Sequence, residues 1–366
     1  MAAQITNYQC PNCGAPIQFV GASGQLECEH CDNKYDVALI EQLYADKEQA
    51  AASAGTEPQW DITLTNNFSA EEAARLRSYS CSYCGAGIIC DDTTAATSCP
   101  YCGNPAVVPG HFSGQLKPDY VVPFRLDKKA AVEALKKYYG GKKFLPKNFS
   151  EGNHIEEIKG VYVPFWLYNG ESDAYMRFNA TKSHTRRSGD YEITETDHYR
   201  VIREGSVAFE KVPVDGSSKM PDAHMDAIEP FDYNDLKQFS TAYLPGFLAD
   251  KYDEDAKICS RRANSRIAAS TEAAFARTIS GYTTLAREYS SMKLKKGDIK
   301  YALMPVWLLS TKWNGENFLF AMNGQTGKLI GDLPVDKGLY WKWFFGIAAP
   351  IAAALAAILF VGGAFL

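Results

Sequence analysis

Eight cysteines fall into two frames of identical internal spacing: Cys10 and Cys13 with Cys28 and Cys31, then, seventy-one residues on, Cys81 and Cys84 with Cys99 and Cys102. Each frame is a C-x2-C pair, a gap of fourteen residues and a second C-x2-C pair. A C-x2-C turn delivers two thiolates from one tight loop, and four sulfurs at about 2.3 Å from one ion form a tetrahedral zinc site. The spacing therefore predicts two Zn(II) ions, one in each frame. Gly14, Gly85 and Gly103 follow three of the knuckles, where the chain is expected to leave with positive φ. Cys31 is followed instead by Asp32. Iron would accept the same four thiolates. Disulfides would also use an even number of cysteines, but the chain opens without a secretory signal pattern, which argues for reduced thiols.

No other constellation carries comparable chemistry. His30, His111, His154, His184, His198 and His224 are scattered, and neither an HExxH helix nor a G-x-S-x-G elbow occurs. The run from Gly324 to Lys328 has the composition of a phosphate loop but the wrong spacing, with Leu329 where a magnesium ligand belongs; it reads as a hairpin turn. Cys90 lies inside the second frame, where it is either a spare ligand or a small buried side chain, and Cys259 reads as inert core. The expectation is a protein without catalytic residues.

The frames sit in an acidic setting. Residues 1–110 hold thirteen acidic and four basic side chains, whereas the rest of the 366-residue chain is slightly basic, giving a net charge of −5. Ribbons that grip nucleic acid display Lys and Arg to phosphate, so this balance disfavours nucleic acid as a partner.

At the other end, residues 343–366 carry no charge. Twenty-four residues at about 1.5 Å each reach roughly 36 Å as a helix, enough to cross a bilayer. Tyr340, Trp341 and Trp343 with Lys337 and Lys342 mark its entry, the aromatic and basic collar of a cytoplasmic interface. The reading is a tail anchor in the cell membrane, single-pass, with the bulk of the chain in the cytoplasm. A buried hydrophobic hairpin is the competing assignment.

The elements between these landmarks must position them. The expected organisation is multidomain: zinc ribbon 1 at 1–40, a linker with short helices at 41–78, zinc ribbon 2 at 79–110, an α+β domain with repeated strand-hairpin units at 111–338, and a C-terminal transmembrane helix at 339–366. Residues 48–57 read as a short helix fading into linker, and Ser69 before Ala70-Glu71-Glu72 as a helix cap. Within the α+β domain, Asn169-Gly170 and Asn314-Gly315 predict hairpin turns, and Ser188-Gly189-Asp190 another. Helices are predicted over 127–139, with Ala131, Leu135 and Tyr138 on one face, and over 253–279, where Arg261, Arg262, Arg266 and Arg277 read as a solvated face.

The stretches 94–104, 120–146, 158–166 and 321–328 together resemble a bacterial family, the TFIIB-type zinc-ribbon membrane proteins, over nearly the whole chain. Its members are often labelled replication-restart helicase or phage replication protein; this sequence lacks the ATP-binding loop such a label requires. Resemblance to its YdjG-like branch implies an adaptor in phage-shock-type envelope stress, working with a second membrane protein and a flotillin-like partner to bring a PspA-type protein to the membrane. Only the eight cysteines carry over as site residues. The favoured expectation is a membrane-anchored scaffold. The alternatives are a nucleic-acid-binding accessory factor of replication and an enzyme with an unrecognised site in the middle domain.

Overall fold

The structure is a computed structural model and describes residues 10–12, 15, 17–21, 23–40, 42–43, 60–62, 66–105, 107–110, 116–152 and 155–363. The helix expected at 48–57 lies outside them, as do Cys13, Gly14, His111 and His154.

In chain order, β1 (Gln18–Val20), β2 (Gln25–Glu27) and β3 (Lys34–Tyr35) are followed by α1 (Ala70–Ala74), β4 (Leu76–Cys81), β5 (Gly87–Asp91), β6 (Val107–Gly110) and β7 (Tyr120–Val121). Two helices, α2 (Lys128–Tyr139) and α3 (Lys147–Gly152), lead into the long strands β8 (Lys159–Ser188) and β9 (Tyr191–Asp215). Then come α4 (Asp222–Ile228), β10 (Lys237–Gln238), β11 (Leu248–Asp250), α5 (Ala256–Arg277), β12 (Thr284–Trp313), β13 (Glu316–Asn323), β14 (Leu329–Gly331) and α6 (Lys337–Gly363).

The chain divides into two compact units, each assembled from three segments. Met1–Ile62, Tyr168–Val212 and Ser260–Ile299 form the first; Thr63–Leu167, Pro213–Cys259 and Lys300–Leu366 form the second. Residues 111–338 therefore contribute to both, because β8, β9, α5 and β12 each run through the division.

In the first unit β1, β2 and β3 make a small antiparallel sheet, with Leu26 opposite both Phe19 and Tyr35. Ile17, Leu26 and Ile40 are buried there with Cys10 and Cys28. A second cluster follows the two-residue period of β8: Met176, Phe178 and Ala180 face inward, beside Val201, and pack on Phe275, Ile279 and Tyr282. Trp60 lies edge-on to Tyr168 at 4.9 Å and donates its indole N–H to Asn264 at 3.1 Å. Only a glycine fits at 297 beside it, since a Cβ there would come within 2.7 Å of the Trp60 ring. The tip of the β8–β9 hairpin is exposed on both faces and zipped by Ser183–Thr196, Thr185–Thr194 and Arg186–Glu195 pairs.

The second unit is built on a mixed sheet of order β10-β7-β12-β8-β11-β5-β4-β6, with β13 and β14 continuing from β12. β7 runs parallel to β12 and β11 parallel to β8. Both faces are covered. Val306 and Leu308 look into one core with Val163, Phe165, Leu167 and Ile88. Trp307 and Leu309 look into the other, with Phe318, Phe320 and the Ala131, Val132, Leu135 and Tyr139 face of α2. That is why Val161–Tyr168 and Leu303–Leu309 read as unbroken apolar runs instead of alternating ones.

The helix caps form as expected. Ser69 and Glu72 close a capping box on α1, and the Asp127 carboxylate accepts the Ala130 N–H at 2.8 Å. On α2 the buried aromatic is Tyr139; Tyr138 is half-buried and donates its hydroxyl to the Gly331 carbonyl at 3.0 Å. Along α5, Cys259, Ala263, Ile267 and Thr271 form a buried stripe at four-residue spacing, leaving Arg261 and Arg277 exposed. Asn314 and Gly315 take φ of 51° and 86°, the paired left-handed turn predicted between β12 and β13. The turn expected at Asn169-Gly170 does not form. Both residues lie inside β8, where the Asn169 side-chain oxygen accepts the Lys211 N–H at 2.8 Å and its amide nitrogen reaches Asp298 at 3.5 Å, so the side chain is used across strands and not in a turn. Gly324 to Lys328 turns from β13 to β14, with Gly327 at φ 75° donating to the Asn323 carbonyl at 3.0 Å.

α6 is long and apolar enough to cross a membrane, and nothing in 337–355 is buried. The helix runs through Pro350. The buried-hairpin assignment is excluded by that exposure.

Replacing Asp127 with Ala leaves the α2 N–H groups without their cap, a loss of about 1 kcal/mol. The expected outcome is a fall of a few degrees in the unfolding temperature, read by circular dichroism.

Candidate metal centre

One hydrogen bond recurs in all four knuckles, and a second in the three whose residues are all described. The first cysteine donates its N–H to the carbonyl five residues on: Cys10 to Ala15 at 2.7 Å, and Cys28 to Asn33, Cys81 to Ala86 and Cys99 to Asn104, each at 2.9 Å. The residue four positions on donates back to the cysteine carbonyl, as Asp32 does to Cys28 at 2.9 Å, and Gly85 to Cys81 and Gly103 to Cys99 at 3.0 Å. That residue must be left-handed. Gly85 and Gly103 sit at φ 73° and 67°, and Asp32, without glycine's freedom, is held at φ 56°.

In the second frame Cys81, Cys84, Cys99 and Cys102 point their sulfurs together, all within 4.8 Å of one another. The Cys81–Cys102 and Cys84–Cys99 separations are both 3.6 Å. A tetrahedron with arms of about 2.3 Å has edges of about 3.8 Å, so the four sulfurs already describe the coordination shell of one zinc-sized ion. They are far outside the bonding distance of about 2.05 Å for a disulfide, and all are free thiols. In the first frame Cys10, Cys28 and Cys31 cluster the same way, with Cys10 and Cys31 at 3.5 Å; Cys13 lies outside the described residues.

The polar surroundings suit thiolate. Burial opposes ionisation of Cys81, but the N–H groups of Cys84 and Tyr83, with the neighbouring thiols, bring it down to about 7. Burial wins at Cys84 and Cys99, which are raised despite N–H bonds from Ala86 to the first and from Cys102 and Tyr101 to the second. Four thiols this close cannot all ionise unless a cation screens them. Lys159 supplies part of the compensation: its ammonium donates to the Ser98 carbonyl at 2.8 Å and to the Ser98 hydroxyl, beside Cys99. Burial lowers its pKa, and the Cys99 sulfur opposes that. At the first frame, Tyr35 lies 3.2 Å from the Cys10 sulfur and the Asn33 amide donates to Cys31 at 3.2 Å. Arg200 donates to the Pro11 carbonyl inside the first knuckle.

The second frame is not an independent ribbon. Its hairpin β4–β5 is continued on one side by β6, with Cys81 opposite Val107, and on the other by β11, with Ile89 opposite Ala249. Tyr101, between the two cysteines of its last knuckle, is buried under the same core. Its hydroxyl faces Asp250 without completing a hydrogen bond, while Ser217 donates to that carboxylate at 2.5 Å. Burial pushes Asp250 up to about 7.

The remaining candidates do not gather. Cys90 is buried, donates to the Thr94 carbonyl at 3.0 Å and is pushed up to about 11 by burial; it lies outside the four-sulfur group. Cys259 is buried against the Asp215 carbonyl. His30, His184 and His198 are exposed, and His224 is buried with its Nε2 at 3.4 Å from Asp332; none joins a ligand cluster among the described residues. Three supporting residues, Lys159, Tyr35 and Asn33, escape a reading of cysteine spacing. Asn33 and Tyr35 lie two and four residues past Cys31, where a short-range polar signal exists; Lys159, sixty positions from Cys99, leaves no sequence signal.

These features define a class: a protein with a duplicated four-cysteine knuckle, a mixed-sheet body and an exposed apolar helix near its carboxy terminus. Similarity to a known protein places it further. The chain belongs to the YdjG family, being 35% identical over 362 residues to "Uncharacterized protein YdjG" of Bacillus subtilis (strain 168), a match spanning 99% of this chain and 100% of the relative. No protein-family model and no solved structure matches it.

Two outcomes test the site. Asp32→Gly relieves a left-handed strain of about 1 kcal/mol, so the first frame should lose metal to a chelator several-fold more slowly, followed by a colorimetric metal dye. Asp250, raised from 3.8 to about 7, contributes stability that is full below its unfolded value and lost as pH climbs through the folded one. The melting temperature of Asp250→Asn relative to the native chain should therefore rise between about pH 4 and pH 7, since only the native chain loses this contribution.

Proposed function

We propose that this chain is a membrane-anchored, cytoplasm-facing adaptor whose two four-cysteine centres each hold a structural Zn(II) ion. The observation that carries this reading is the second cysteine frame: four cysteine sulfurs gathered in one cluster, three of the cysteines buried, and the frame stitched into the main sheet. Structural zinc sites use all four positions for protein ligands, whereas catalytic ones keep one open. Cys81, Cys84, Cys99 and Cys102 fill one shell; Cys10, Cys28 and Cys31, with Cys13 by its spacing, fill the other. The ion would supply folding free energy, on the order of 10 kcal/mol or more in small zinc modules, and no reaction step.

The exposed α6 supports anchoring, since an apolar helix with no buried side in 337–355 is stable only if lipid or a partner covers it. The acidic amino-terminal third favours a protein partner over nucleic acid. A place in phage-shock-type envelope stress, with PspA-type or flotillin-like partners, rests on the family resemblance alone.

Removing residues 343–366 should move the protein from the membrane fraction to the supernatant while two zinc equivalents per chain remain bound. Cys102→Ser should halve the metal content without releasing the chain from membranes. Retention of the truncated chain on membranes would refute the anchor, and a metal-free native preparation would refute the zinc centres.

A further inference from the structure

The loop between α2 and α3 is fastened to the start of α6. The Asp336 N–H donates to the Phe144 carbonyl at 2.8 Å, and the Phe144 ring meets Tyr340 edge-on at 5.8 Å. Lys143 reaches further along the helix and places its ammonium 4.9 Å from the centre of the Trp343 ring. Lys142, beside it, lies over Tyr138 at 4.8 Å. Trp343 belongs to an exposed aromatic group with Tyr340, Trp341, Phe344 and Phe345, at the end of the apolar stretch where a spanning helix would meet headgroups.

A loop more than 190 residues away in sequence thus brings the Lys143 ammonium to the aromatic collar, with Lys142 next to it in the chain, adding to Lys337 and Lys342 on the helix itself. All four lysines are exposed and none has a carboxylate partner among the described residues. The neighbouring acid, Asp336, is turned inward to cap the helix, its carboxylate accepting the Leu339 N–H at 2.9 Å. Unpaired positive charge at that level is complementary to phosphate esters at the bilayer surface.

We propose that Lys142 and Lys143, with Lys337 and Lys342, form a binding surface for anionic phospholipid headgroups beside the membrane helix. This rests on the reading of α6 as a membrane span. The loop acts as a second, charge-selective contact that fixes the face of the second unit against an anionic leaflet. Each lysine at a membrane surface is worth up to a factor of about five in affinity, so the pair accounts for a preference of up to about 25-fold for anionic over zwitterionic lipid near the collar.

The test uses the full chain reconstituted in vesicles of phosphatidylcholine containing phosphatidylglycerol, with bromine placed on the acyl chains of one lipid at a time. Quenching of Trp341 and Trp343 fluorescence reads which lipid surrounds the collar. The expected result is several-fold stronger quenching by brominated phosphatidylglycerol at equal mole fraction. Lys142→Gln with Lys143→Gln should cut the preference several-fold, leaving what Lys337 and Lys342 supply, without reducing quenching by brominated phosphatidylcholine, and arginine at both positions should restore the full preference. Equal quenching in the native chain, or a preference unchanged by the glutamine pair, overturns the loop surface while leaving the anchor standing. A preference that arginine fails to restore overturns its basis in charge. Absence of quenching by either lipid overturns the anchor, and the headgroup surface with it.

Discussion

Four thiols within 4.8 Å of one another cannot all ionise unless a cation stands between them, and the second frame devotes a large part of its local structure to holding them together. Backbone N–H groups aim at Cys81, Cys84 and Cys99, the hairpin β4–β5 fixes one pair, and the loop ending in Cys99 and Cys102 is pinned by Lys159 and by the burial of Tyr101. The sheet edge β6-β4-β5-β11 is therefore tied to the state of these sulfurs. A metal held there would cross-link a hairpin to a loop fifteen residues away, beside the β5–β11 pairing of the mixed sheet.

The same constraint shapes both copies of the knuckle. The same pair of hydrogen bonds recurs in three turns, with the left-handed residue supplied twice by glycine and once by aspartate, so the knuckle geometry is kept even where it strains a residue. Around the first copy the Cys10 and Cys31 sulfurs meet the Tyr35 hydroxyl and the Asn33 amide; around the second the Lys159 ammonium donates to Ser98, beside Cys99. Each cluster is thus furnished by its own neighbourhood.

At the opposite end, α6 presents an apolar surface with nothing in 337–355 buried, and its first turn is held by the α2–α3 loop. Membrane helices are oriented by interfacial aromatic and basic anchors as much as by their length. The contact of Lys143 with Trp343 ties this loop to the start of α6, as a flexible tether would not.

The sequence by itself determined the elements governed by short-range rules. Cysteine spacing located the knuckles, Ser69 and Asp127 marked helix starts, Asn314-Gly315 marked a turn, and an uncharged run of twenty-four residues marked α6. Each of these depends on a few neighbouring residues whose backbone angles or polarity are fixed locally. Tertiary structure decided the rest. Asn169-Gly170 carries the same turn signal as Asn314-Gly315 yet stays extended, because strands on either side of β8 use the Asn169 side chain and outweigh a local preference of about 1 kcal/mol. Incorporation of the second cysteine frame into a mixed sheet, the approach of Lys159 to Cys99, and the reach of Lys143 to Trp343 all join residues separated by sixty or more positions. No periodicity records such distances, since they are set by strand order and by which faces must be buried.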